Sequence, residues 1–203
     1  MRTGIAQFLG IEKKRWAKEI AELVLWIGFL QWHARTRRNA DGSVMWLEPV
    51  LMDLHNIECR DAVLVWDAEN PVYDANGKVV TRWDGITTKK HPVTGENVPD
   101  ELAQVLVTEF VNPRRAAWPK ADFIVGNPPF LGGWKMRQAL GDGYVEALRH
   151  AHDDVPDACD LVMYWWNQAA KLVRDGAVQR SGLVTTTTIS QVQSRRVTQP
   201  FLE

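Results

Sequence analysis

This chain of 203 residues has few cysteines, almost no net charge and no long apolar segment. Its two cysteines, Cys59 and Cys159, lie far apart and outside any Cys-x-x-Cys pattern, which argues against a disulfide framework or a zinc site. The formal charge of −1 excludes a global basic field, so any contact with nucleic acid must be local. The longest apolar run, LVLWIGFL, is too short to cross a bilayer, and the N-terminus lacks a signal-peptide pattern. We therefore expect a cytoplasmic protein that does not span a membrane.

Short apolar stretches alternate with helical patterns along the chain, and 45% of its residues are hydrophobic. The expected strands are 8–12, 121–125 and 180–189, with a further short strand within 55–64 that runs into Asp61. The expected helices start at Lys13 and at 136 and cover 160–176, with Gly176 as the C-cap. This order predicts one α/β domain, residues 1–203, with a doubly wound, mostly parallel sheet. The stretch 121–125 is almost wholly apolar, which is typical of a strand covered on both faces.

Residues 66–100 differ in character from their surroundings, and roughly 66–120 is interpreted as an insertion between core strands. Because it is long for a structureless connection, we expect it to carry its own secondary structure. The pair Asn76-Gly77 lies between two β-rich arms and predicts a hairpin with a type I′ turn. The stretch 87–101 is expected to be a loop. Further along, residues 150–154, with the sequence HAHDD, are expected to form a solvated helix end.

The stretch FIVGNPPFLGG, residues 123–133, carries the most specific chemical signal. Pro128 and Pro129 fix two φ angles and remove two N–H donors, so the chain cannot continue here as a sheet strand or begin a regular helix. A rigid loop at the carboxyl end of a strand is where open α/β sheets place their ligand chemistry. The carboxamide of Asn127 stands at the head of this loop, and it is therefore our first candidate for a functional group.

Two acidic residues follow the other early strands. Glu12 ends the first expected strand, and Asp61 follows the second, so both should lie at the carboxyl edge that also carries Asn127. An acid in the first position commonly accepts hydrogen bonds from ribose hydroxyls, and a second acid suits the amine of an adenine ring. Together they favour a cofactor that contains a nucleoside. Two structural alternatives stay open, since Glu12 fits a first-turn helix acid and Asp61 fits a turn or cap residue.

The GNPPF stretch after an apolar strand resembles the catalytic loop of the DNA methyltransferases that act on amino groups, especially those that methylate adenine N6. The likeness extends, in order, to GIEKKRWAKEIAELVLWIGFLQWH, NIECRDAVL, DACDLVMYWWNQAAKLV and RSGLVTTTTI. This ordered set is similar to the methyltransferase core of the large single-chain (type IIG/IIL-like) restriction–modification enzymes. It covers most of residues 8–190 apart from the insertion. Asn-Pro-Pro-Phe alone would be less specific, because glutamine methyltransferases carry a close variant.

The resemblance implies a role for each candidate residue. The cofactor would be S-adenosylmethionine, with Glu12 on its ribose hydroxyls, Asp61 and the adjacent Ala62 at its adenine, and Asn127 beside its methyl group. The substrate would be an adenine flipped out of double-stranded DNA. The carboxamide oxygen of Asn127 and the carbonyl of Pro128 would accept the two N6 protons. Pro129 would stiffen the loop, and Phe130 would stack on the base. No metal is implied.

The sequence also departs from the family pattern. The glycine-rich cofactor loop and its strand belong before residue 8, where only MRTGIAQ stands, and the later strands and the target-recognition region are expected beyond the last helix. We therefore expect a methyltransferase domain truncated at both ends, which binds S-adenosylmethionine weakly by itself. Lys13 stands where an apolar residue often packs on the adenine. Two alternatives remain: a fragment that acts only through a partner that supplies the absent segments, and a protein-glutamine N5-methyltransferase.

Overall fold

The computed structural model describes residues 4–36, 42 and 55–202. The chain divides into two compact units, Met1–Ala62 and Val63–Glu203, and each is described by itself below. Among the described residues, no helix combines the length and the apolar character that a bilayer span requires.

The first unit is built on a short parallel strand pair and one long helix. After a 3₁₀ turn at Ile5–Gln7 come strand β1 (Gly10–Glu12), helix α1 (Arg15–Thr36) and strand β2 (Ile57–Cys59). Strands β1 and β2 pair in parallel, with Gly10 opposite Ile57 and Glu12 opposite Cys59. This order confirms the strand, helix and strand that the sequence predicts between 8 and 64.

Helix α1 leaves its regular apolar stripe exposed. The stripe consists of Trp16, Ile20, Leu23, Val24 and Ile27, each of which is at least 46% exposed. The opposite face is the more covered one, and it holds buried His33 and an ion pair between Lys18 and Glu22 at 2.7 Å. The spacing therefore predicts the helix correctly but does not identify its covered face.

The second unit contains the insertion as an arm of antiparallel strand pairs, residues 66–120. Its base is the pairing of β3 (Leu64–Val65) with β10 (Arg114–Arg115). Along the arm, β4 (Ala68–Pro71) pairs with β9 (Thr108–Val111), β5 (Thr81–Trp83) with β8 (Gln104–Leu106), and β6 (Thr88–Lys90) with β7 (Asn97–Pro99). The expectation of independent structure is confirmed. The expectation of a loop at 87–101 is wrong, because β6 and β7 form a hairpin there.

The turn at Asn76-Gly77 closes a hairpin, but it is not of type I′. A type I′ turn needs positive φ at both central residues, and in the described part of the chain His55 and Asn112 are the only non-glycine residues with positive φ. Instead, Gly77 has φ +77° and donates its N–H to the carbonyl of Asp74 at 3.0 Å. The Asp74 carboxylate accepts the N–H groups of Asn76 and Lys78, each at 2.9 Å. This side-chain bonding favours a turn that starts at Asp74 and ends in a left-handed glycine.

A second parallel pair lies near the end of the chain. Strand β11 (Phe123–Gly126) pairs with β12 (Arg180–Leu183), and the last bond runs from the Val184 N–H to the Gly126 carbonyl at 2.9 Å. The expected strand 180–189 is thus too long by several residues. The ladder has no donor beyond this bond, because Pro128 lacks the N–H that would bond the Val184 carbonyl.

Helices connect and follow these strands. They are α2 (Gly133–Leu140), α3 (Asp142–Ala151), α4 (Val162–Arg174) and α5 (Val192–Thr198), with 3₁₀ turns at Thr187–Ser190 and Gln199–Phe201. Gly141, with φ +86°, separates α2 from α3 within the helical stretch that the sequence predicts. Gly176, with φ +72°, follows the end of α4 as expected for a C-cap residue.

The fold is a mixed α/β arrangement, but its sheets are small. Within the described residues there are six two-stranded sheets, of which β1–β2 and β11–β12 are parallel. A continuous doubly wound sheet is therefore not present in the described part of the chain. Strand β11 is also not covered on both faces, because Phe123 is 61% and Val125 86% exposed. The apolar character of a strand does not by itself supply the layer that would cover it.

The core of the second unit lies between α3, α4 and the start of β3. Val63, Val145, Leu148 and Met163 are fully buried there. His152 is also fully buried, and its Nε2 lies 2.9 Å from the Val63 carbonyl oxygen, so the expected solvated helix end at 150–154 is wrong at this residue. Burial lowers the pKa of His152 and outweighs the bond to Val63, which keeps the imidazole neutral inside the core.

Candidate functional site

The loop after β11 presents Asn127 to solvent on a fixed backbone. Asn127 and Pro129 are exposed, Pro128 is buried, and Phe130 is 44% exposed. In the described part of the chain no residue hydrogen-bonds to the Asn127 carboxamide. Its oxygen and amide group are therefore available to a ligand.

The loop is anchored on both sides. On one side, the Gly126 carbonyl accepts the Val184 N–H, and the Leu183 side chain lies 3.2 Å from the position that a Cβ at Gly126 would occupy. On the other side, the Leu131 carbonyl accepts the Leu161 N–H at 2.9 Å, next to the start of α4. Because both flanks are hydrogen-bonded and the two prolines have fixed φ angles, the backbone at Asn127 has little freedom.

The first unit places Glu12 and Asp61 at the same edge of the β1–β2 pair. Glu12 ends β1, and its carbonyl accepts the Arg60 N–H at 3.1 Å, one residue before Asp61. The Glu12 Oε1 accepts the Lys14 N–H at 2.8 Å, just ahead of α1. One of its two oxygens therefore bonds the backbone at the helix start, as in the alternative that Glu12 is a helix acid. In the described residues its Oε2 has no hydrogen-bond partner, which leaves one acceptor for a ligand.

The Asp61 carboxylate is nearly buried and already paired. Its side chain is 6% exposed, and its Oδ2 lies 3.1 Å from the Nζ of Lys13. The neighbouring Ala62 is half-buried. The sequence places Lys13 against the adenine of a cofactor, and the structure shows instead that this lysine bonds the acid expected to bind that adenine. Nothing in the strand and helix pattern indicates this pair.

The candidate residues fall into two groups. Glu12, Asp61 and Ala62 belong to the first unit, and Asn127 to Phe130 belong to the second. Within each group the structure brings the expected residues together at the carboxyl end of a short parallel strand. The described residues contain no group of three or more histidine, cysteine or carboxylate side chains that could hold a metal ion.

An ion-pair network connects helices of the second unit, and it is not foreseen from the sequence. Asp154 receives Lys171 and Arg115 as ion-pair partners and accepts a hydrogen bond from Asn167 at 2.8 Å. Burial alone would raise the pKa of Asp154, but the bonds from Lys171 and Asn167 and the charge of Arg115 lower it to about 2. The network joins β10, the end of α3 and α4, three elements that are distant in sequence.

Replacing Asp154 with asparagine should lower stability at neutral pH by about 1–2 kcal/mol, because Lys171 and Arg115 lose their shared partner. Since the pKa of Asp154 is lower in the folded than in the unfolded state, its contribution is complete above about pH 4. It is lost as pH falls toward about 2. Thermal melting of both proteins between pH 7 and pH 2.5 measures this, and the difference in Tm should shrink on acidification. A constant difference would contradict the assigned pKa.

The family model described as "MmeI, DNA-methyltransferase domain" matches residues 1–201. The chain belongs to this family. No curated protein and no solved structure matches it. The family match confirms the expected class, a methyltransferase domain of the kind that methylates DNA, and it gives the exposed Asn127 loop a chemical context.

Proposed function

We propose that the protein transfers a methyl group from S-adenosylmethionine to the N6 amino group of adenine in double-stranded DNA, within a restriction–modification or phage-defence system. The observation that carries this proposal is the exposed carboxamide of Asn127, to which no described residue hydrogen-bonds, on a loop stiffened by Pro128 and Pro129. The family match supports DNA as the substrate. It also favours DNA over the alternative substrate, a glutamine amide in a protein.

The residues of the loop supply acceptors for an amino group. The Asn127 Oδ1 and the Pro128 carbonyl oxygen accept the two N6 protons of an adenine that has been flipped out of the duplex. These bonds direct the two N–H groups toward the loop, so the nitrogen lone pair points away from it. The half-exposed ring of Phe130 offers a stacking surface for the base, a contact worth about 1–3 kcal/mol. Catalysis by this loop is therefore mostly positioning of the amine.

The cofactor supplies a methyl group on a positively charged sulfur, which makes the sulfur a good leaving group. Attack by the N6 lone pair on that methyl group would form the new C–N bond as the S–C bond breaks, and the proton lost from N6 would go to solvent. Glu12 and Asp61 fit the nucleoside part, since carboxylates accept hydrogen bonds from ribose hydroxyls and from an adenine amine. Glu12 retains one acceptor oxygen for this purpose, whereas Asp61 is held by Lys13.

A second candidate function is methyl transfer that requires a partner protein. It is favoured by the exposed apolar side chains of Phe123 and Val125 on β11 and of Val184 beyond β12. Alternation along parallel strands places these three on the same face as Asn127. A partner that supplies further methyltransferase segments, including a target-recognition region, would cover this face beside the loop.

Methyl transfer should be measured with S-adenosylmethionine carrying a labelled methyl group and mixed-sequence duplex DNA. Digestion to nucleosides and mass spectrometry then identify the product, and we expect N6-methyladenine. Label in N4-methylcytosine would keep the role of Asn127 but correct the base. Label in protein, and none in DNA, would support the glutamine alternative. Activity that appears only after addition of a cell extract of the source organism would support the partner candidate.

A further inference from the structure

We propose that Lys13 competes with the nucleoside for the Asp61 carboxylate, so that adenine binds only when the lysine ammonium leaves. This inference rests on the proposed nucleoside site and adds to it a residue that sets its affinity. Its basis is the ion pair between the Lys13 Nζ and the Asp61 Oδ2 at 3.1 Å, which lies on one of the two acids expected to hold the cofactor.

The two partners of this pair differ in exposure. The Asp61 side chain is 6% exposed, whereas the Lys13 side chain is 56% exposed. The backbone around Asp61 is fixed by Arg60, whose guanidinium donates to the Asp61 carbonyl at 3.2 Å and whose N–H bonds Glu12. The Lys13 carbonyl in turn contacts the Cys59 Sγ at 3.8 Å. The lysine side chain, with its flexible four-carbon stem, is therefore the part that can move.

The pair compensates for the burial of the Asp61 carboxylate. Burying a carboxylate is costly, and the ammonium of Lys13 offsets part of that cost. The amine of adenine offers neutral N–H donors, which bond a carboxylate less strongly than an ammonium does. Replacement of Lys13 by adenine at Asp61 therefore subtracts from the binding free energy, and removal of the lysine should increase affinity.

Adenosine is the suitable probe, because it is uncharged and carries both the ribose hydroxyls and the adenine amine. Calorimetric or NMR titration should show about three- to tenfold tighter adenosine binding in Lys13→Met than in the unmodified chain. Salt gives an independent measure. Raising the ionic strength weakens the Lys13–Asp61 pair, so adenosine affinity should rise with salt in the unmodified chain and stay constant in Lys13→Met.

Two further variants serve as controls. Lys14→Met makes the same change one residue away, at a side chain whose ammonium lies 5.8 Å from the Trp16 ring centre, and it should leave adenosine binding unchanged. Lys13→Arg keeps a cation for Asp61 and should bind adenosine as weakly as the unmodified chain. Thermal melting of each variant reports whether it is folded. If Lys13→Met fails to fold, the salt titration of the unmodified chain still decides the question.

Equal or weaker adenosine binding in folded Lys13→Met, or affinity that falls with salt in the unmodified chain, would overturn the inference. Absence of adenosine binding in every protein, even at millimolar concentration, would remove both the inference and the nucleoside site at Asp61. Neither result bears on the role of Asn127, because that role is tested by a different measurement, methyl transfer to DNA. The two proposals therefore fail in distinguishable ways.

Discussion

Replacing Asn127 with alanine should lower the rate of methyl transfer to DNA by at least about 100-fold, because it removes an acceptor that orients the target amine. The fold should be unaffected, since the side chain is exposed and no described residue bonds to its carboxamide. Asn127→Asp should retain more activity than Asn127→Ala, because a carboxylate still accepts hydrogen bonds from the amine. The measurement is the single-turnover rate of label incorporation into duplex DNA.

The matched control for this experiment is Asn97→Ala, which removes an exposed carboxamide from β7 on the inserted arm. It should leave both the rate and the melting temperature unchanged. Retained activity in Asn127→Ala would exclude Asn127 from the mechanism. Equal losses in Asn127→Ala and Asn127→Asp would instead show that the side chain contributes something other than acceptor oxygens.

Replacing Gly143 with alanine should destabilise the second unit by about 3 kcal/mol or more, because there is no space for a side chain at this position. A Cβ at Gly143, in α3, would lie 1.8 Å from the Thr108 carbonyl oxygen and 2.9 Å from its carbon. Both atoms are backbone of β9, so no rotamer change can relieve the contact. The arm would have to move away from α3 and separate the ring of Phe110 from that of Tyr144, whose centroids now lie 6.0 Å apart.

The comparison is with Gly28→Ala, in α1, where no atom of the described residues lies within 4 Å of the added Cβ apart from the neighbouring residues and backbone of its own helix. This change should stabilise the helix by up to about 1 kcal/mol, because alanine has the higher helix propensity. Melting curves of both variants should therefore shift in opposite directions, by about −6 to −12 °C for Gly143→Ala. An unchanged melting temperature in Gly143→Ala would mean that the arm is not packed on α3 at this point.

Local features of the fold are predictable because they depend on nearby residues. The strand ending at Glu12, the helix after it, the strand ending at Gly126 and the helix stop at Gly176 all follow from hydrophobic period and glycine position. The predictions of turn type and strand length are wrong where a particular side chain overrides the usual backbone preference of the segment. Asp74 changes the turn type at Asn76-Gly77, and Pro128 removes the donor that would extend the β11–β12 ladder.

The candidate site residues are likewise predictable where they depend on local sequence. Asn127 is identifiable because two prolines after an apolar strand leave few alternatives, and Glu12 and Asp61 because acids after parallel strands share an edge. The Lys13–Asp61 pair and the Asp154 network escape sequence analysis. Each depends on which long side chain reaches which carboxylate, and this is decided by packing between elements that are distant in sequence.

The sequence by itself determined which functional groups are present, namely a carboxamide on a rigid loop and two acids after strands. It also determined the family to which the chain belongs. Tertiary structure alone decided which of these groups are available to a ligand. It leaves Asn127 exposed, uses one oxygen of Glu12 at a helix start and engages Asp61 with Lys13. The physical reason is that residue types and their spacing set backbone geometry, whereas burial and ion pairing depend on contacts between separate segments.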